Sequence, residues 1–373
     1  MKPLRLLFCL VLIASCGTKE TPKNDQFITV NFDQAIPKKL VNNEISDELG
    51  FTFLHYDEEH PIGQIRTYKI TKNFIVLADS QQKLFVFKKN GALFSMIDRK
   101  GNGPSEYVEI EDFSISSNEE TILILDPKNL KILSYTIDGT YESHRKMDYA
   151  HAAHISLLAN GNMVLYQSAR FSEKNENIFI LNPDFSVVHS AFDPEGEILT
   201  ALPYLLGAMW YQHNSNTYYK EALVDTVYKI GNLNRVKPHM VLDFGSKRMP
   251  NDFYTDVGLF QKNSSNHYQL GSIRESRQYV FFLMLLHNNR HYFLYDKTSS
   301  GGMSFNLGTA GLSGNFQSDL GFWPQYIDDN DTMYMFMDAG DLAEKLETIP
   351  DAERIKDVLA TNDNPVLLSS KLN

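Results

Sequence analysis

Cysteine is almost missing from this 373-residue chain: two are present, Cys9 and Cys16, and both precede residue 17. The body can therefore form no disulfide, thiolate zinc site or cysteine nucleophile. Tryptophan is as scarce, with only Trp210 and Trp323. Positive charge is in the minority, 35 Lys and Arg against 46 Asp and Glu. A nucleic acid partner needs a clustered basic face, so that class is excluded. No apolar run reaches the roughly twenty residues of a membrane-spanning helix. No hinge-like stretch divides the chain, although its length exceeds one ordinary domain. What remains is 43% hydrophobic and 12% aromatic, which rules out a disordered, collagen-like or coiled-coil chain.

The first residues carry an address. Lys2 and Arg5 form a short positive region, and Leu6 to Ile13 form an apolar run of signal-peptide length. Ile13-Ala14-Ser15-Cys16 follows, an aliphatic residue, two small residues and a cysteine in the order of a bacterial lipobox. Small side chains suit the peptidase cleft, and the thiol accepts the lipid. Residues 1–15 are thus expected to be a lipoprotein signal peptide, Cys16 the lipid attachment and 16–26 a polar tether. The expected location is the cell envelope, anchored by the N-terminal lipid, with the outer membrane favoured and both orientations open.

Between residues 65 and 340 the dominant signal is short β-branched or aromatic runs separated by turn residues. Phe74-Ile75-Val76-Leu77 and Leu84-Phe85-Val86-Phe87 lead to Asn90-Gly91; Ile122 to Leu125 and Ile132 to Tyr135 lead to Asp138-Gly139. Such dipeptides are expected to form type I′ hairpin turns with a pair of positive φ angles. Further runs end at Asn182-Pro183-Asp184 and Gly231-Asn232, and a turn is expected at Asn288-Asn289.

Corresponding strands begin near residues 84, 132, 178, 227 and 292, at intervals of 48, 46, 49 and 65. A period of this length with several strands per unit is the signature of a β-propeller. A single blade has two apolar faces and cannot cover both alone. Five units are evident, and a sixth fits from Gly314 to Asp338 but is short of a strand. The N-terminal strand Phe27 to Phe32 is expected to complete it, with Phe51 to Leu54 as the alternative closer. The fold class is all-β, a six-bladed β-propeller over 27–340 closed by an N-terminal strand. Residues 341–373, with Leu342, Leu346, Ile355, Val358 and Leu359 at helical spacing around Pro350, are expected to form a C-terminal helical appendage.

The stretch Ile97 to Gly139, opening with Gly101-Asn102-Gly103-Pro104-Ser105-Glu106-Tyr107, resembles the six-bladed β-propeller lipoproteins of Gram-negative bacteria. The likeness extends to Gly63-Gln64-Ile65, to Asp225-Thr226-Val227-Tyr228, and to Pro238 with Asp243-Phe244-Gly245. It departs at Leu54-His55-Tyr56, where the family often carries Leu-Glu-Thr. The family is related in shape to NHL-repeat propellers and shares no activity, so the resemblance implies fold and address rather than chemistry.

No catalytic residue is assigned. The Gly101–Tyr107 loop is not a phosphate cradle, because strand-forming residues follow it and Pro104 removes an amide. An inter-blade crossover with Glu106 capping its amides is expected. His287 and His291, like His151 and His154, lack the helical setting that would put both on one metal. No cofactor is expected; the alternative is a calcium-dependent hydrolase or lyase in the channel, for which Asp79, Asp126, Asn182 and Asp296 are the candidate oxygen donors. Each is better explained as a turn residue bonding its own backbone. Ligand-binding candidates are Trp210, Tyr211, Trp323 and Tyr326, whose flat rings suit stacking at a propeller mouth. The chain is read as a binding or scaffolding module for a glycan, a peptide or an envelope protein.

Overall fold

In the strand Phe74–Asp79, Ile75 and Leu77 enter one hydrophobic core while Val76 and Ala78 enter another. Its neighbour Leu84–Lys88 divides the same way, Phe85 and Phe87 against Leu84 and Val86. Side chains alternate across a strand, so an unbroken apolar run marks a sheet buried on both faces. The computed structural model describes residues 27–37, 42–47, 49–55, 58–167, 176–192, 208–221, 224–231, 234–254, 256–299, 302–306, 320–346 and 352–373. The signal peptide, Cys16 and the tether lie outside the described residues.

Three strands precede the blades: β1 (Ile28–Asn31), β2 (Ile36–Pro37) and β3 (Gly50–Phe53). Blade one holds β4 (Ile65–Ile70), β5 (Phe74–Asp79), β6 (Leu84–Lys88) and β7 (Leu93–Ile97). Blade two holds β8 (Asp112–Ile115), β9 (Thr121–Asp126), β10 (Lys131–Thr136) and β11 (Tyr141–Lys146). Blade three holds β12 (Ala152–Leu157), β13 (Met163–Gln167), β14 (Glu176–Leu181) and β15 (Val187–Phe192). Blade four holds β16 (Met209–His213), β17 (Asn216–Lys220), β18 (Thr226–Gly231) and β19 (Arg235–Asp243). Blade five holds β20 (Gln269–Glu275), β21 (Tyr279–Leu286), β22 (Asn289–Asp296) and β23 (Gly302–Asn306). Blade six holds β24 (Tyr326–Ile327), β25 (Thr332–Met337) and β26 (Val366–Lys371).

Six hydrophobic clusters among the described residues correspond to the six interfaces between neighbouring blades. The expected six-bladed β-propeller is the observed fold. Its closure differs in detail from the expectation. The fourth strand of blade six is β3, paired antiparallel to β26 with Phe53 opposite Val366 and Gly50 opposite Ser369. This is the alternative closer. The strand within Phe27 to Phe32, β1, instead adds a fifth, parallel strand to blade four along β19, and β2 does the same for blade five along β23.

The C-terminal residues also take a different path. Two short helices, Ala339–Ala343 and Ala352–Leu359, form as the periodicity indicates; Leu342 and Ile355 from them, with Leu346 just after the first, join the core between blades five and six. The chain then re-enters the ring as β26, so the helices are an excursion inside blade six and the propeller does not end at 340. Val366, Leu367 and Leu368 are at most 1% exposed, and burying three adjacent apolar residues requires a place inside the sheet.

The Asp243-Phe244-Gly245 motif receives the N-terminal segment. Asn31 donates to Asp243 at 2.8 Å, Phe32 stacks on Phe244 at 5.2 Å, and the Ser246 amide donates to Asp33 at 3.0 Å. The Gly101–Tyr107 loop is the expected crossover, between blades one and two. The Gly103 amide donates to Glu106 at 2.8 Å, and buried Tyr107 donates to the carbonyls of Gln82 and Ile97, both at 2.9 Å. A Cβ at Gly101 would lie 2.1 Å from the Glu106 carboxylate, so a side chain there would have to displace that cap.

The hairpin turns at Asn90-Gly91 and Asp138-Gly139 are not type I′, because only the glycines have positive φ, both at 86°. Gly91 donates to the Lys88 carbonyl at 2.9 Å and Lys88 to that of Ala92 at 2.8 Å, and the β6–β7 register shifts beside it. This is a three-residue turn with a bulge, which matches strand twist with one left-handed residue rather than two. Two-residue turns with both φ positive occur instead at Asn214-Ser215 and His287-Asn288. The turn expected at Asn288-Asn289 is therefore one residue earlier, and His287 sits in it.

Gly91 also meets the closing strand: its carbonyl accepts from the His55 amide at 2.8 Å, and a Cβ there would lie 1.9 Å from the Phe53 carbonyl. At Gly161, with the same φ of 86°, a Cβ would meet only Pro183 at 3.9 Å. Gly161→Ala is expected to cost about 1–2 kcal/mol from backbone strain alone. Gly91→Ala should cost about 1–3 kcal/mol more, because it also displaces β3. Urea denaturation of the two variants checks the order; equal losses would mean that β3 does not rest on this turn.

Candidate functional site

The innermost strands β4, β8, β12, β16, β20 and β24 surround the axis, and all six contribute to one cavity of about 300 Å³. β4 and β20 are richer in polar residues than the strands behind them, because their edges face the channel rather than another strand. Arg66, Tyr68 and Lys69 come from β4, Asp112 from β8, Ala153 and His154 from β12. Trp210, Tyr211 and Gln212 come from β16, Arg274 and Glu275 from β20, Tyr326 from β24.

Asp112 is a buried tie between three blades. Its carboxylate accepts from His154 Nδ1 at 2.7 Å, the Ile155 amide at 3.2 Å and Thr67 at 3.3 Å, with Lys69 Nζ at 3.4 Å. Burial alone would raise its pKa; the charge of Lys69, the charge that His154 takes on only at acid pH, and these hydrogen bonds outweigh it and hold the group well below the usual range. For His154 burial wins over Asp112, and its pKa is lowered. The imidazole is therefore neutral near pH 7, with its proton on Nδ1 toward Asp112, and Nε2 is a buried acceptor without a partner.

Glu275 is the counterpart between blades four and five. It accepts from Tyr211 at 2.8 Å and from His239 and Lys297 at 3.0 Å. Burial opposes its ionisation, yet hydrogen bonding to His239 and the charges of His239 and Lys297 hold its pKa down at about 2. Tyr211 is raised by burial and by this carboxylate.

Of the four ring candidates, Trp210, Tyr211 and Tyr326 line the cavity. Trp323 does not. It is 5% exposed in the core between blades five and six, edge-on to Phe281 at 5.4 Å and tilted on Tyr292 at 4.8 Å. Trp210 takes part in a row of rings running outward across register-paired strands. His154 stacks on it at 4.0 Å, Tyr219 at 5.2 Å, and Tyr228 continues from Tyr219 at 5.3 Å. Its ring is thus engaged by neighbouring rings while it also lines the cavity.

The oxygen donors considered for calcium are engaged in turns. Asp79 accepts from the amides of Gly63, Gln81 and Lys83, and Asp126 from those of Val108 and Asn129. Asn182 accepts from Ser186 and Asp296 from Thr298. Among the described residues no three His, Cys, Asp or Glu side chains group to hold a metal ion. His151 is exposed, and His291 stands opposite Met284 rather than His287. Sequence reasoning missed Arg66, Lys69, Asp112, Arg274 and Glu275. Their one signal is charge within the first strand of a repeat or at one of its ends.

Residues 27–371 match a domain of unknown function, DUF4934. The chain belongs to the DUF4934 family. The DUF4934 fold is similar to a Bacteroides fragilis protein described as exported, with a TM-score of 0.73 at 17% identity over 93% of this chain and 100% of that one. It is also similar to a member of the DUF4221 family from Bacteroides vulgatus, with a TM-score of 0.54 at 10% identity over 88% and 97% of the two chains. At these identities the likeness concerns the fold. No curated protein matches the sequence. Among the described residues, no helix is long and apolar enough to cross a membrane.

The neutral state of His154 has a pH consequence. Its folded pKa is lowered, so as pH falls below about 6.5 the unfolded chain takes up a proton first and stability declines. Asp112, also lowered, adds a second loss below about pH 4, where the unfolded carboxylate protonates. Urea midpoints should fall between pH 7 and 5, and His154→Gln should reduce that slope while leaving only the part of the loss below pH 4 that Lys69 and the Ile155 amide sustain. An unchanged slope would show that His154 is not held neutral.

Proposed function

We propose that this DUF4934 protein is a lipid-anchored, NHL-like propeller of the cell envelope that binds a ligand in the channel cavity. The observation that carries the reading is convergence: each of the six inner strands places a side chain on one cavity of about 300 Å³. That volume is at the small end of ligand pockets, so a small molecule, or one terminal unit of a glycan or peptide, fits it. A larger envelope protein would engage it through a single protruding group. Tyr68, Trp210 and Tyr326 give the wall apolar surface, and the charged groups give it direction. The match of the chain's fold to an exported Bacteroides protein supports the envelope location, as do the lipobox and the signal-like start.

Ala153 is exposed in the cavity wall, on a bulge of β12. Ala153→Trp should fill the cavity and abolish binding of ligands found by thermal-shift screening of glycans and peptides, while the melting temperature of the empty protein stays nearly constant. A ligand that binds this variant as well as the parent would place the site elsewhere. Anchoring is tested separately: Cys16→Ser should move the protein from the membrane to the soluble fraction of lysed cells. Retention on the membrane would overturn the lipid attachment.

A further inference from the structure

Every charged side chain lining the cavity but one has an opposite charge within 4.0 Å. Arg66 lies 3.8 Å from Glu109 and 3.9 Å from Glu111, Lys69 lies 3.4 Å from Asp112, and Glu275 lies 3.0 Å from Lys297. The exception is Arg274. Its guanidinium donates through Nε to the Gln325 carbonyl and through Nη1 to that of Ile273 at 2.6 Å, and among the described residues no carboxylate pairs with it. Two carbonyls orient the group, but dipoles do not neutralise a charge, and arginine cannot shed its proton. A cation held partly out of water without a counter-charge is costly, so the site is complete only when an anion arrives.

Resting on the cavity as the ligand site, we propose that the ligand is a small monocarboxylate, the size of one sugar acid or one amino acid, with Arg274 as its anchor. Three observations select this chemistry. One unpaired positive charge matches one negative charge. The wall also holds Glu111, Asp112 and Glu275, which would repel a phosphate dianion more strongly than a carboxylate. A planar guanidinium steadied through Nε and Nη1 by two carbonyls, with the Tyr68 hydroxyl as a polar neighbour, suits a carboxylate fork. The remaining surface, with Tyr68 and Tyr326, takes the uncharged body of the molecule.

The test uses the full-length protein in detergent and titration calorimetry with matched pairs: glucuronate against glucose, N-acetylalanine against its amide, and inorganic phosphate alone. The acid of at least one pair should bind about tenfold or more tightly than its neutral partner. Arg274→Gln should erase that preference, Arg274→Lys should retain part of it, and Arg66→Gln should retain most. Equal binding within the pairs, tighter binding of phosphate, persistence of the preference in Arg274→Gln, or no acid bound at about 10 mM would each overturn the inference. A neutral partner that binds, and is blocked by Ala153→Trp, would overturn the carboxylate while leaving the cavity as the site. An acid whose binding survives Ala153→Trp would overturn both.

Discussion

Four residue pairs between β3 and β26 turn six separate sheets into a ring. Each blade is apolar on both faces, so every face needs a neighbour, and the first and last blades have one only if the chain closes on itself. Leu54 and Leu367, fully buried where blade six meets blade one, are covered because that contact exists. The pairing joins residues more than 300 positions apart, and its two partners come from opposite ends of the domain. Blade six is therefore built from both ends of the domain. Closure of so long a loop is compensated by burial of the whole interface rather than by the few strand hydrogen bonds.

Closure also creates the site. Six inner strands brought onto one axis concentrate the charges that could not be buried in the faces. Asp112 and Glu275 are accommodated because each accepts several donors from neighbouring blades, which makes them ties across interfaces as well as wall groups. Buried carboxylates satisfied in this way hold inner strands in register. Arg274 is the departure from that economy of pairing, and a local violation of a general rule is where a binding site is expected.

The outer surface repeats one solution several times. A three-residue turn with a single left-handed position recurs, with Gly at 91, 139 and 161 and Gln82, Phe185 or Asp331 in the same seat elsewhere. Glycine is indispensable only where the turn touches another segment, as Gly91 does against Phe53. The Asp243-Phe244-Gly245 motif has a similar explanation, since each of the three residues meets the incoming Asn31–Asp33 segment.

The blade repeat, the all-β class and most turn positions were legible in the residues, because strand alternation and left-handed turn chemistry are local properties. The crossover at Gly101–Tyr107 was legible for the same reason: its glycines, Glu106 and Tyr107 act within a few residues of one another. What local chemistry could not decide was pairing between distant segments. Ile28–Asn31 and Gly50–Phe53 both read as strands by composition, and only the tertiary pairing with Val366–Lys371 makes the second the closer. Val366–Lys371 carries no mark that distinguishes a strand of blade six from a tail. The site follows the same division. Trp210, Tyr211 and Tyr326 were visible as rings, but that Trp210 is held within a stack, that Trp323 is interior, and that Arg274 pairs with no carboxylate among the described residues are properties of six blades meeting on one axis. Sequence determines what each strand is; the closed ring decides which side chains meet, because their neighbours lie in other blades.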